Sequence, residues 1–325
     1  MNQLSITDLC VEYRTDSGSL QAVDRVSLDL ASGEIVGLVG ESGSGKSTVA
    51  ESIIRILDNN GRITGGEIAF DDEVLTEMTE KELADSVRGS RIGMMFQDPH
   101  ASLSPVSSIG TQITDLVSAH HDVDRKEAKE RAITLLADVG ISSPEKRYSA
   151  YPHSFSGGML QRVMLAMAIA GEPELLIADE PTTGLDMTTQ AQILSQLEAL
   201  NESREMGMLL ITHDLDVVMD VCDRILVMYD GNVVETGRCD VVTEDPKHPY
   251  TAELIQLTLG DVLATNQSVE PLESAAKTGC PYQNVCPETV EGICDSGDVP
   301  PMYEAEDGRP VRCHLYDPEL SEGDL

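Results

Sequence analysis

Short apolar runs alternate with helix-period segments along most of the chain. Val26, Leu28 and Leu30 take every second position, the spacing of a half-buried strand. Gly33 supplies a turn, and Glu34–Val39 follows as a continuous apolar strand. A glycine-rich stretch then leads into Val49, Ile53, Ile54 and Leu57, which share one face at helical spacing. Ile92, Met94 and Phe96 alternate as a further strand. From about residue 109 to 171 the period is helical. Ala128, Ala132, Leu135, Leu136 and Val139 fall on one face there, and Gly140 marks a stop. Strands return at Leu175–Asp179, Met208–Thr212 and Ile225–Tyr229, and Asp230-Gly231 predicts a tight hairpin. Strands interleaved with helices predict an α/β fold.

The pattern fades after about residue 260. Residues 261–325 hold 14 acidic and three basic side chains, seven of the 15 prolines and four of the seven cysteines. This stretch is expected to be a separate, irregular, Cys-rich extension. No internal repeat or low-complexity tract is visible.

Composition narrows the function classes. The 325 residues leave room for roughly two domains, and 41% hydrophobic residues suffice for a sizeable core. Charge is the outlier: 57 Asp and Glu against 22 Lys and Arg give a formal net charge of −35. Such a surface repels phosphate backbones and anionic bilayers, which argues against nucleic acid as a partner. An acidic coat holds water where molar salt cuts the Debye length to about 3 Å. The composition resembles that of proteins from halophilic microbes. The longest apolar run, Val163–Ala170, has eight residues, far short of the ~18 of a membrane span. Residues 1–9 carry neither a basic stretch nor an apolar signal core, so a soluble, cytoplasmic protein is expected.

Gly40-Glu41-Ser42-Gly43-Ser44-Gly45-Lys46-Ser47-Thr48 fits the phosphate-binding loop pattern G-x-x-x-x-G-K-[ST]. Its glycines let the backbone curl so that N–H groups point inward, and the helix that follows adds its positive end. Lys46 is placed to reach the β- and γ-phosphates, and Ser47 to give an oxygen to Mg²⁺. The loop also has the right flanks, an apolar strand before and an amphipathic helix after. Downstream, the strand Leu175–Asp179 ends in two acids, Asp179 and Glu180. Acids at the end of a buried strand are costly unless they meet a cation or do chemistry. Asp179 suits the Mg²⁺ shell, and Glu180 can polarise a water for in-line attack.

Phe155-Ser156-Gly157-Gly158-Met159-Leu160-Gln161-Arg162 resembles the signature motif of ABC-type ATPases. The order also matches: phosphate loop, Gln97, signature, Asp179-Glu180, Gly184-Leu185-Asp186, His213. The resemblance implies a P-loop NTPase of ABC type over residues 1–260, with a helical subdomain at about 98–171. It implies two such domains facing head-to-tail, with Ser156, Gly157 and Gly158 closing over the other's ATP and Asp186 on the seam. It gives Gln97 a role at Mg²⁺ and the attacking water, His213 a contact to the γ-phosphate that orients Glu180, and Tyr13 a stacking contact with adenine.

Phe96-Gln97-Asp98-Pro99, Ser102-Leu103-Ser104-Pro105, His248-Pro249-Tyr250-Thr251 and Gly279-Cys280-Pro281 are similar to the ATP-binding subunits of dipeptide and oligopeptide importers. Leu160 departs from that subfamily, which carries Arg there. The resemblance implies separate membrane permease subunits, met through segment 98–112, and a second ATPase subunit that is a paralogue or another copy. It also implies an extracellular substrate-binding protein acting indirectly, and a peripheral position on the cytoplasmic face of the membrane. Nickel or oligosaccharide cargo, and a non-transport ATPase serving iron–sulfur assembly, remain alternatives at this point.

Cys280, Cys286, Cys294 and Cys313 are separated by gaps of five, seven and 18 residues. Zinc sites usually include a tighter pair, whereas four thiolates gathered by a Pro-rich loop suit a four-iron four-sulfur cluster. Spacing alone leaves iron–sulfur and zinc near parity, with unligated thiols a third reading. The importer subfamily's Cys-rich tail implies iron–sulfur, and with it a redox sensor as a further option. Cys10, Cys222 and Cys239 read as small core residues.

Overall fold

The computed structural model describes residues 2–258 and 278–320. Its strands are β1 (Asn2–Thr15), β2 (Gly18–Ala31), β3 (Ile35–Val39), β4 (Gly61–Phe70), β5 (Glu73–Val74), β6 (Ile92–Met95), β7 (Leu175–Asp179), β8 (Gly207–Thr212), β9 (Arg224–Tyr229), β10 (Asn232–Arg238), β11 (Tyr303–Glu304) and β12 (Pro310–Val311). They form two sheets. An antiparallel one has the order β2-β1-β4-β5, and a larger one the order β11-β12-β10-β9-β3-β8-β7-β6. In the larger sheet β6, β7, β8, β3 and β9 run parallel.

These parallel strands are buried on both faces, which is why they read as unbroken apolar runs. Ile35, Met208, Leu210, Leu176 and Ala178 point into a core shared with the helices. Val36, Leu38, Leu209, Ile211 and Ile177 point the other way, into a core shared with the antiparallel sheet. Each set takes alternate positions along its strand, as the pleat requires.

The continuous helical pattern over 109–171 resolves into separate helices: Ile109–His120, Arg125–Asp138, Pro144–Arg147 and Gly157–Ala168. Ser108, Asp124 and Ser156 cap the longer ones through side-chain oxygens, leaving the chain polar at each break. Asp230 and Gly231 take φ values of 44° and 79° between paired Tyr229 and Asn232, the doubly left-handed turn that Asp-Gly favours.

The extension corrects the expectation of wholly irregular chain. β12 pairs with β10 through Val311 and Glu235, and β11 pairs with β12, so the tail completes the edge of the main sheet. Two-residue strands are too short to show a period. Arg309 fastens this edge. It is 7% exposed and pairs with Glu235, itself 0% exposed, at 3.3 Å and with Asp307 at 2.6 Å. The expected boundary at 260/261 lies outside the described residues.

Candidate active site

Register brings the site together. Val39 lies opposite Thr212, Asp179 opposite Ile211, and Met95 opposite Ala178. The residues after each strand therefore emerge at one edge: Gly40 after β3, Glu180 after β7, His213 after β8 and Gln97 just past β6. The carboxyl ends of parallel strands are where open α/β sheets bind ligands.

The phosphate loop wraps from β3 into the helix Lys46–Ile53. Gly40 and Gly45 adopt φ of 154° and 102°. A Cβ at Gly40 would lie 2.1 Å from the Met228 carbonyl oxygen, and one at Gly45 2.5 Å from that of Ala22. Only glycine fits this loop against β9 and β2. Gly45 caps the helix without a side-chain bond, so its first amides are left for an anion. Lys46 is 6% exposed, and its Nζ donates to the carbonyl oxygens of Gly40 and Glu41, both at 2.7 Å. Burial lowers its pKa, while Glu180 and Asp179 favour the charged form.

Asp179 is 5% exposed, and its Oδ1 is buried with no hydrogen-bond partner. Burial raises its pKa; the Ser47 hydroxyl beside it works the other way. A carboxylate oxygen left unpaired beside a serine hydroxyl is a donor set that fits a hard divalent cation. Glu180 is 8% exposed, with φ of 50°. His213 Nδ1 meets its carboxylate at 2.8 Å, and the Thr183 hydroxyl donates to it at 2.6 Å. A non-glycine residue held in the left-handed region costs about 1–3 kcal/mol, a strain typical of active sites. Gln97 is exposed at the end of β6. Tyr13 is half-buried beside the loop's helix, near Thr48 and Glu51, and burial raises its pKa.

The signature lies elsewhere. Ser156 caps the helix Gly157–Ala168 through the Met159 amide. With Gly157, Gly158 and Asp186 it lines an open cavity of about 1170 Å³ to which the phosphate loop contributes nothing. A Cβ at Gly158 would come 2.4 Å from Thr189 Cγ2. Asp186 accepts from the Thr189 amide and hydroxyl at 3.0 and 2.7 Å, which holds its pKa down. Leu160 is 1% exposed in the helical core. The phosphate loop and the signature thus lie on separate surfaces of the chain.

Cys280, Cys286, Cys294 and Cys313 line one cavity with His248, Tyr282 and His314, and none forms a disulfide. Burial pushes the Cys280 thiol up to about 11 and that of Cys313 up to about 12. The space between them is small, about 10 Å³. Among the described residues no three His, Cys, Asp or Glu side chains converge to hold a single metal ion. Four thiols are a donor set known for both a single zinc and a four-iron four-sulfur cluster, and the space between them as it stands holds neither.

The family is decided by relatives that match nearly the whole chain. The oligopeptide transport ATP-binding protein OppD of Bacillus subtilis (strain 168) is 41% identical, covering 97% of this chain and 89% of that one. The dipeptide transport ATP-binding protein DppD of Escherichia coli (strain K12) is 40% identical, covering 97% of each. The chain belongs to the ABC transporter ATPases. The ABC transporter family matches residues 23–183, and the oligopeptide/dipeptide transporter C-terminal region matches 234–294. Among solved structures, the dimeric post-hydrolysis state of the ATP-binding cassette MJ0796 bound to ADP and Pi superposes with a TM-score of 0.66 at 27% identity. It covers 73% of this chain and 98% of that one. The cassette cbiO1 from Clostridium perfringens gives 0.64 at 26% identity, covering 80% and 97%.

Within this ABC ATPase, two contacts are not visible in the sequence, that of Thr183 to Glu180 and that of Tyr250 to the phosphate loop. Thr183 lies three residues past Glu180, and nothing but the turn reveals its bond. Tyr250 is 2% exposed, and its hydroxyl accepts the Glu41 amide of the phosphate loop at 3.1 Å. Its ring packs against Tyr229 at 4.7 Å and against Tyr282, which lines the cysteine cavity, at 5.5 Å. Tyr250→Phe keeps the ring and removes the acceptor. About 1 kcal/mol of loop support is lost, so ATP affinity should fall roughly fivefold. Nucleotide titration of the purified chain checks this, with retained secondary structure by circular dichroism as the control.

Proposed function

We propose that this chain is the ATP-hydrolysing subunit of a peptide importer, working on the cytoplasmic face of the membrane as one of two cassettes. The carrying observation is the split site: phosphate loop and acids on one edge, signature on a separate surface. Sequence similarity to peptide-transport ATP-binding proteins along nearly the full length supports the cargo class. Among the described residues no helix is long and apolar enough to cross a membrane, so separate permease subunits would supply the path.

In this reading Lys46 and the loop amides from Gly40 to Thr48, including Glu41, Ser42, Gly43 and Ser44, hold the phosphates, and Tyr13 stacks on adenine. Ser47, Asp179 and Gln97 would hold Mg²⁺, which would supply charge neutralisation to the phosphates. Glu180, fixed by Thr183 and His213, takes a proton from the attacking water. Ser156, Gly157 and Gly158 of the facing cassette close on the γ-phosphate, and Asp186 lines the seam. Catalysis is then mostly positioning and charge stabilisation.

Segment 98–112 is read as the permease contact. Its exposed large apolar residue is Val106, at 85%, whereas Leu103 is buried at 3%. Residues 1–260 are read as the cassette and 261–325 as the extension, and the acidic surface as an adaptation to high salt. Cys280, Cys286, Cys294 and Cys313 are read as ligands of a four-iron four-sulfur cluster. Four thiols on one cavity support this, and anaerobically purified protein should carry iron and sulfide that Cys286→Ser loses. Colourless protein with one zinc per chain would refute it.

Vesicles reconstituted with the permease subunits and both cassettes test the main reading. ATP-driven dipeptide uptake is expected, with loss on Glu180→Gln. ATP turnover without peptide uptake would refute the cargo.

A further inference from the structure

Away from both sites described above, a cleft of about 490 Å³ opens where three parts of the chain meet. They are the β1–β2 arm, strands β9 and β10, and the extension around Pro301 and Pro310. Arg312 forms its inner wall and is 6% exposed. Its Nε donates to the Val233 carbonyl oxygen at 2.8 Å and its Nη1 to that of Pro300 at 2.9 Å. Among the described residues no carboxylate forms an ion pair with it, whereas nearby Arg309 pairs with Glu235, Asp245 and Asp307. Burial, and after it the positive charge of Arg25, lowers its pKa, while the charges of Asp24 and Asp8 work the other way. In a chain where acids outnumber bases 57 to 22, an interior guanidinium with no carboxylate in direct contact is a costly arrangement. A bound anion relieves it.

The rest of the cleft narrows the ligand. Arg25 and Asp8 both reach it from bulges in the β1–β2 ladder, each with φ of 47°. Bulges re-aim side chains in this way at sites. Asp29 stands on the same wall, its Oδ1 accepting from the Ser5 hydroxyl at 2.8 Å. Leu28, Leu226 and Met302 make the surface between apolar. An inorganic anion would leave that surface uncovered and both carboxylates without a cation. A nucleotide would bring its phosphates against Asp8 and Asp29. A molecule with a carboxylate at one end, an ammonium at the other and apolar groups between satisfies all three, and the volume lies within the ~300–1,000 Å³ of small-molecule pockets.

We propose that this cleft is a second ligand site that takes a short peptide, its carboxylate on Arg312 and Arg25, its apolar side chains on Leu226 and Met302, and its ammonium toward Asp8 and Asp29. The choice of peptide rests on the importer reading above. Occupied, the cleft ties the arm, the main sheet and the extension together. Delivered cargo would therefore stabilise the extension on its own ATPase by linkage.

Calorimetric titration of the purified full chain with the dipeptide Leu-Leu tests this, beside its C-terminal amide, its N-acetyl form and inorganic phosphate. Leu-Leu is expected to saturate and to raise the unfolding temperature. The amide and the acetyl form should each bind about tenfold more weakly, having lost one charge-assisted contact. Arg25→Ala, whose side chain is half exposed, should weaken Leu-Leu to a similar extent while ATP binding stays unchanged. No saturation, equal binding of the amide, or binding of phosphate alone would overturn the proposal. Uptake by the reconstituted assembly is measured in parallel. Uptake without binding to the cleft sinks the cleft alone. Binding without uptake sinks the importer reading and leaves the cleft standing.

Discussion

Glu180→Gln should cut ATP turnover by about 10²–10⁴-fold, the range for loss of a positioned base, while leaving ATP binding near that of the unmodified chain. The amide has the carboxylate's shape and keeps an oxygen for the Thr183 hydroxyl, which donates at 2.6 Å. It cannot take a proton from water. Lys46, Ser47 and Asp179 are untouched, so the cradle still holds nucleotide. Closed pairs of cassettes should accumulate, because reopening waits on hydrolysis. Single-turnover phosphate release and equilibrium ATP binding check the two halves separately. Turnover within twofold of the original would remove Glu180 from the base role. Loss of both turnover and binding would place its contribution in the cradle instead.

Arg309→Met should destabilise the chain by about 3–5 kcal/mol, because it strands the buried Glu235 without its cation. Glu235 is 0% exposed and accepts the Lys247 and His248 amides at 2.9 and 2.8 Å. Its pKa is already raised by burial, against the amides and Arg309, and removing Arg309 raises it further. A carboxyl whose folded pKa lies above its unfolded one contributes least when ionised, so the deficit grows as pH rises through that interval. Denaturant unfolding should therefore show a smaller loss at pH 5 than at pH 7. A loss under 1 kcal/mol, or one indifferent to pH, would mean that Arg309 does not fasten the extension.

The nucleotide site was legible because its chemistry restricts residue type. A loop that must curl against the Met228 carbonyl can use only glycine at Gly40, and acids at a strand end stand out against apolar surroundings. The central strands were legible because burial on both faces leaves continuous apolar runs. β1 was not, because its buried positions change phase. Leu4 and Ile6 face the core, then Leu9 and Val11 do, with the Asp8 bulge between. β2 changes phase at Arg25 in the same way, between Val23 and Val26. The sequence reading therefore found only the half of β2 after its bulge. Tyr250 escaped because its partner Glu41 lies 209 residues away, a contact that only the folded sheet creates. The cleft around Arg312 escaped for the same reason, since its walls come from the arm, the sheet and the tail. Family resemblance, not spacing, carried Gln97, His213 and the signature, each of which is an ordinary residue type for its position.

The central claim is that nucleotide is turned over only where two cassettes complete each other's site. ATPase rate per chain, followed as the purified protein is diluted and again after a second cassette is added, tests it most directly. The rate per chain should fall away on dilution and return with the second cassette, while the Glu180→Gln chain stays inactive throughout. An undiminished rate per chain at every dilution, with no second cassette present, would contradict it.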